Sequence, residues 1–183
     1  MPVVSGSNSG DLAEALAAEL GWEHHPLEAR RFPDSEGYVR IPSHSIDAVR
    51  SEPVVIVATT FPDSGIVEAL LMLEAVHDVR SGDLRNLKGE GPEVLEASGP
   101  GIFLAVPYFG YSRQDKRFQG GEVISAALIV KLLAEHLDGL IVLDLHAPKV
   151  LEGLQTPVAF VSAMPEIADH LREQVHPDFI LSP

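Results

Sequence analysis

Gly101-Ile102-Phe103-Leu104-Ala105-Val106 runs directly into Pro107-Tyr108-Phe109-Gly110-Tyr111-Ser112-Arg113-Gln114. Residues 102–106 are apolar without alternation, which predicts a strand buried on both faces. Such strands belong to parallel sheets covered by helices. The polar loop that follows then sits at a strand's carboxyl end, where open α/β sheets bind ligands. Similar runs lie on either side: Pro2-Val3-Val4, Val54-Val55-Ile56-Val57-Ala58, Leu140-Ile141-Val142-Leu143 and Phe179-Ile180-Leu181. Between them the spacing predicts helices over 11–20, 63–80, 122–138 and 165–175. Gly21 suits the end of the first helix and Asp63 or Ser64 the start of the second. In the last, Ile167, Ala168, Leu171 and Val175 share one face. The alternation implies an α/β fold with a mostly parallel sheet flanked by helices.

Two segments break the alternation. Arg31 to Pro42 is short, turn-rich and flanked by strand formers, which predicts a projecting β-hairpin. Ser81 to Pro100 holds four glycines and two prolines and is long for a connection, so a surface insertion is expected. The helix over 63–80 is apolar almost all round. It is either central, beneath a loop, or keeps a face for another domain or subunit, and the second reading suits the chemistry below better. No internal repeat at a fixed period is visible.

Composition narrows the function classes. The chain has 183 residues, 45 % of them apolar, with a net charge of −14 and no cysteine. Disulfides and Cys-ligated zinc or iron–sulfur centres are therefore excluded. The acidity disfavours nucleic-acid binding, which needs a basic surface. No apolar run approaches a membrane span, and Met1-Pro2-Val3-Val4-Ser5 lacks the basic and apolar regions of a signal peptide. The expectation is a soluble, cytoplasmic protein without nucleic-acid or membrane partners.

Four polar segments are candidates for chemistry. In the loop after 102–106, Arg113, Lys116 and Arg117 place three of the chain's 13 basic residues within five positions. Arginine's planar fork suits phosphate oxygens. Gln114 suits a base edge or a ribose, and Gly110, Gly120 and Gly121 permit close approach. A solvated basic loop has the same composition. In Leu143-Asp144-Leu145-His146-Ala147-Pro148, Asp144 and His146 are two apart. On a strand they project to one face, which suits Mg²⁺ or a simple Asp–His hydrogen bond. Phe32, Asp34 and Glu36 on the hairpin suit an adenine ring and its amino group, or a plain acidic turn. Ser5-Gly6-Ser7-Asn8-Ser9-Gly10 lacks Walker A or dinucleotide spacing and reads as helix capping.

Taken in order, Arg31-Phe32-Pro33-Asp34-Ser35-Glu36, Tyr108-Phe109-Gly110-Tyr111-Ser112-Arg113-Gln114-Asp115-Lys116-Arg117-Phe118 and Asp144-Leu145-His146-Ala147-Pro148 resemble one family. It is ribose-phosphate pyrophosphokinase, or phosphoribosyl pyrophosphate synthase, and the resemblance runs from about Val3 to the last residue. It implies a phosphoribosyltransferase-like fold, with residues 1–183 as the N-terminal of two similar domains. The implied reaction moves the β,γ-diphosphoryl group of ATP to the 1-hydroxyl of ribose 5-phosphate, with Mg²⁺, for nucleotide biosynthesis. By position, the ATP contacts fall to Phe32, Asp34, Ser35, Glu36, Arg113 and Gln114. The metal site falls to His146, with Asp144 beside it. The family's hairpin reaches a neighbouring subunit, so the resemblance also implies a homo-oligomer through the hairpin face.

The sequence departs from the family at three places. Ser35 stands where the family has glycine, so a positive φ there would be strained. The 81–100 segment is longer than the usual link. The later lysine- and arginine-bearing loop and the Asp-Asp-x-x-x-Thr-Gly-Gly-Thr type cradle for the ribose phosphate have no match in these residues. The 183-residue chain alone is thus expected to be inactive, with no catalytic residue of its own. The alternatives are a non-catalytic subunit that associates with the synthase, or an unrelated phosphoribosyltransferase.

Overall fold

The computed structural model describes residues 1–81, 99–135, 137–175 and 179. The order is β1 (Pro2–Ser5), α1 (Gly10–Leu20), β2 (Glu23–Pro26), β3 (Glu28–Arg31), β4 (Gly37–Arg40), α2 (Ile46–Ser51), β5 (Val54–Val57), α3 (Asp63–Ser81), β6 (Ile102–Val106), α4 (Ser125–Ala134), β7 (Gly139–Leu143), β8 (Val158–Val161) and α5 (Met164–His170). Six strands form one parallel sheet in the order β2-β1-β5-β6-β7-β8, and β3 and β4 form a separate antiparallel pair.

The unbroken apolar runs are explained by two packed faces. Val4, Val54, Ile56, Ile102, Leu104, Leu140 and Val142 point into a core shared with α3 and α4. Val3, Val55 and Val57 point the other way, against Ala13 and Ala17 of α1. Helix α1 stops at Gly21, whose φ is +65°. Trp22 N–H donates to Ala17 O at 2.8 Å and Gly21 N–H to Ala18 O at 3.2 Å, a left-handed cap that glycine adopts without strain.

Helix α3 is central. The hairpin strand β4, α2, α4 and the sheet all pack on it, so its apolar surround is covered within this chain and Val67 is left half exposed. The face expected for another domain or subunit is thereby narrowed to the surface around Val67 and the partly buried Leu70 and Leu71. Its last turn is tied down by Arg80, which donates to the carbonyls of Val49, Glu52 and Pro100. The hairpin stands on α3 rather than projecting along its whole length, with Leu71 Cδ1 3.2 Å from where a Cβ on Gly37 would lie.

Several elements differ from expectation. Helix α4 starts at Ser125, not 122, because Glu122 closes a turn instead. Its carboxylate accepts the N–H groups of Phe118 at 2.6 Å and Gln119 at 3.1 Å. Helix α5 ends at His170 and a π-helical turn continues over Leu171–Val175. None of these residues is buried, so the apolar face over Ile167 and Val175 is open. The expected insertion at 81–100 and the expected strand at 179–181 lie largely outside the described residues.

Candidate functional site

The loop after β6 is anchored before it becomes polar. Phe109 is buried in the main core. The segment around it docks on the turn that follows β5. Thr60 N–H donates to Tyr108 O at 3.1 Å, and the Thr59 hydroxyl donates to the same carbonyl at 3.1 Å. Gly110 N–H donates to the Thr60 hydroxyl at 2.8 Å. A Cβ on Gly110 would overlap the Thr60 carbonyl, so only glycine permits this approach. Tyr111 has φ +63° and its hydroxyl donates to Asp63 Oδ1 at 2.6 Å. That bond to a carboxylate raises the Tyr111 phenol above its ordinary value.

From this anchor the loop presents its polar residues. Gln114 closes a turn through its N–H to Tyr111 O at 3.0 Å, and its carbonyl accepts Ala126 N–H at 3.2 Å. Its side-chain amide donates to Lys116 O at 3.2 Å. Lys116 lies over the Phe118 ring at 5.2 Å, and Arg117 Nε donates to Glu122 O at 2.8 Å. Arg113 is exposed and forms no hydrogen bond or ion pair among the described residues. Its guanidinium is left unpaired at the surface of the loop.

The next loop leaves β7, the strand paired with β6. The strand ends at Leu143 and Asp144 turns to φ +43°, so Asp144 and His146 are not two residues of one strand. The expected same-face pairing is replaced by a link to the neighbouring loop. Asp144 Oδ1 accepts the Ser162 hydroxyl at 2.6 Å and Oδ2 accepts Ala163 N–H at 3.0 Å. These two bonds hold the Asp144 carboxyl below its ordinary value. His146 is exposed and without a partner among the described residues. Among those residues, no group of three or more His, Asp or Glu side chains has the placement to hold a metal ion by itself.

The hairpin tip is a third polar feature. Ser35 has φ +75°, the strained conformation expected at this position. Its N–H donates to Phe32 O at 2.9 Å, and Arg31 Nη1 donates to its carbonyl at 2.8 Å. Asp34 Oδ1 accepts Glu36 N–H at 3.1 Å. Arg30 lies over the rings of Phe32, at 4.7 Å, and Tyr38, at 4.2 Å. The sequence did not single out Arg30 or Tyr38; their alternation with Phe32 across a tight hairpin was the available signal. No hydrogen bond, ion pair or ring contact joins this tip to the Arg113 or His146 loop among the described residues.

Among the described residues, three non-glycine positions have positive φ: Ser35, Tyr111 and Asp144. One falls in each of three of the four candidate segments. Backbone strain gathered at three polar loops is a mark of functional geometry. The fourth segment, 5–10, supplies the N-cap residue of α1, Ser9, whose carbonyl accepts Ala13 N–H at 3.0 Å, but its side chain does not cap. Ser9 makes no side-chain bond to its helix; its hydroxyl accepts Thr59 N–H at 3.1 Å instead. Ser7 N–H and hydroxyl both donate to the Glu68 carboxylate, each at 2.6 Å. The Ser9–Thr59 bond joins the ends of β1 and β5, where the strand order reverses, and the Ser7–Glu68 bonds tie the same loop to α3. A concavity of about 280 Å³ between α4 and residues 149–154 meets the β6 loop at Asp115, while Arg113 and Gln114 stand outside it.

Comparison with known proteins bears on the family and the fold. A family model described as the N-terminal domain of ribose phosphate pyrophosphokinase matches residues 1–83 and 93–136. The break falls inside the segment read as an insertion. The ribose-phosphate pyrophosphokinase of Methanothermobacter thermautotrophicus is 35 % identical over 171 residues, which are 92 % of this chain and 52 % of that protein. That of Saccharolobus solfataricus is 32 % identical over 186 residues, 100 % of this chain and 56 % of that protein. The chain therefore spans about half the length of the curated relatives it matches. The crystal structure of phosphoribosylpyrophosphate synthetase from Mycobacterium smegmatis shares the fold, with a TM-score of 0.71 at 24 % identity over 94 % of this chain and 52 % of that one. With more than half of its residues matched by that model, the chain belongs to the ribose-phosphate pyrophosphokinase family, within the part of it described as the N-terminal domain.

Proposed function

We propose that residues 1–183 form the ATP-binding half of a ribose-phosphate pyrophosphokinase. In this reading the 1-hydroxyl oxygen of ribose 5-phosphate attacks the β-phosphorus of ATP. The bond from that phosphorus to the α-bridging oxygen breaks, AMP departs, and the hydroxyl proton goes to solvent. Such transfers are accelerated mainly by positioning and charge neutralisation. Arg113 supplies a fixed cation for the polyphosphate, and Gln114 lies beside it on the same turn. The observation that carries the reading is the placement of unpaired Arg113 and exposed His146 on loops that leave adjacent, hydrogen-bonded strands.

Mg²⁺ fits this site as a shared ion. His146 has a free imidazole, and Asp144 is held anionic with lone pairs left on both oxygens. These are the residues that would hold it, with water and phosphate oxygens completing the shell. When bound, the ion supplies charge neutralisation on the transferring phosphates.

The adenine end falls to Phe32, Asp34, Ser35 and Glu36 of a second copy. The support is that this tip is exposed and unconnected to the Arg113 loop of its own chain. No helix among the described residues is long and apolar enough to cross a membrane. The test is titration of the 183-residue chain with Mg-ATP across protein concentration, beside a coupled assay for AMP release from ATP and ribose 5-phosphate. ATP binding that strengthens with protein concentration, without turnover, is expected. Turnover above a heat-killed control would show a complete site within these residues. Absence of ATP binding would remove the reading altogether.

A further inference from the structure

We propose that Thr60 and Asp63 are positioning residues that hold the Arg113–Gln114 loop in one conformation through Gly110 and Tyr111. The effect on ATP rests on the functional reading above; the effect on the loop does not. The Thr60 side chain is fully buried at the carboxyl end of β5. Its hydroxyl accepts Gly110 N–H at 2.8 Å and lies 3.4 Å from Tyr108 O as a donor. Three residues further on, Asp63 fixes Tyr111 by its hydroxyl at 2.6 Å. The two bonds bracket the left-handed turn at Tyr111, from whose carbonyl Gln114 takes its N–H bond. Arg113 lies inside that turn and has no side-chain bond of its own, so the bracket sets where its backbone carries the guanidinium.

The bracket is braced from behind. Thr59 N–H donates to Ser9 Oγ at 3.1 Å, Asn8 Nδ2 donates to Thr59 O at 3.3 Å, and Ser7 is bound twice by Glu68. A continuous hydrogen-bonded path thus crosses the carboxyl ends of β1, β5 and β6. The loops after β1 and β5 thus serve as the foundation of the loop after β6.

The test compares Thr60→Val, which keeps the shape and removes the hydroxyl, with Thr60→Ser, which restores it. Tyr111→Phe changes an exposed side chain and carries the comparison if Thr60→Val does not fold. Hydrogen exchange of peptides covering 109–118 is read beside the Kd for Mg-ATP. Loss of one such bond should speed exchange there about tenfold in Thr60→Val and Tyr111→Phe. ATP affinity should fall by a similar factor, with both effects reversed in Thr60→Ser. Unchanged exchange over 109–118 would overturn the proposal. So would a loosened loop with unchanged ATP affinity, or faster exchange spread evenly over the whole chain. If the unmodified chain takes no ATP, the functional reading fails, and the exchange comparison alone decides the role of Thr60 and Asp63.

Discussion

Asp144 and Ser162 are joined by a 2.6 Å hydrogen bond from the Ser162 hydroxyl to Oδ1, across the carboxyl ends of two neighbouring strands. This bond and the one from Ala163 N–H lower the Asp144 pKa from 3.8. A depressed carboxylate favours folding above its unfolded value, and that contribution is lost as pH falls from there through the folded pKa. Carboxyl NMR titration should therefore place the Asp144 midpoint below 3.8 and move it upward in Ser162→Ala. A midpoint unmoved by that substitution would show that the bond does not form in solution.

The Tyr111 phenol carries the opposite sign at the other end of the pH range. Its pKa is raised above 10.0 by the bond to Asp63. The protonated ring favours the folded loop, in full below the unfolded pKa, and the contribution is lost as pH rises through the folded one. Absorbance titration of tyrosinate should show Tyr111 titrating later than free tyrosine. Asp63→Asn should bring it back toward 10.0.

The sequence already carried the four inner strands. Val54–Val57 is apolar throughout because it is buried on both faces, and Ile102–Val106 because one face is buried and the other partly covered. Strand β2 was missed because Glu23-His24-His25-Pro26 pairs with β1 through its backbone at the sheet edge, which demands no side-chain pattern. Strand β8 was missed although Val158-Ala159-Phe160-Val161 is apolar throughout; it lies at the other edge, where Phe160 and Val161 are exposed. The three polar motifs stood out by composition. The side chains that hold them did not. Thr59, Thr60 and Asp63 look like an ordinary turn until Gly110 is seen to need a backbone partner. Asp144 reads as a strand residue until its φ is known.

Ser35→Gly tests the strain at the hairpin tip. A left-handed L-residue costs about 1–2 kcal/mol. Glycine returns about 0.5–1 kcal/mol of that through its freer unfolded chain. Ser35→Gly should thus raise unfolding stability by up to about 1 kcal/mol in urea titrations. A loss of stability would mean that Ser35 does not hold its left-handed turn.

Two glycine-to-alanine changes should move in opposite directions. At Gly110 the added methyl meets backbone that cannot move aside, and destabilisation of about 1–3 kcal/mol is expected. At Gly10, the first residue of α1, nothing lies within 4 Å of the added Cβ. Helix propensity there should give a gain of up to about 1 kcal/mol. Denaturant midpoints of the two variants check both signs.

Calorimetric titration of Mg-ATP into the chain and into Arg113→Ala, at matched protein concentration, tests the central claim most directly. A charge-assisted contact contributes about 1.5–3 kcal/mol, so Arg113→Ala should bind about ten- to a hundredfold more weakly, with its thermal midpoint unchanged. Equal affinity in the two proteins would contradict the account, because the loop leaving β6 would then lie outside the nucleotide site.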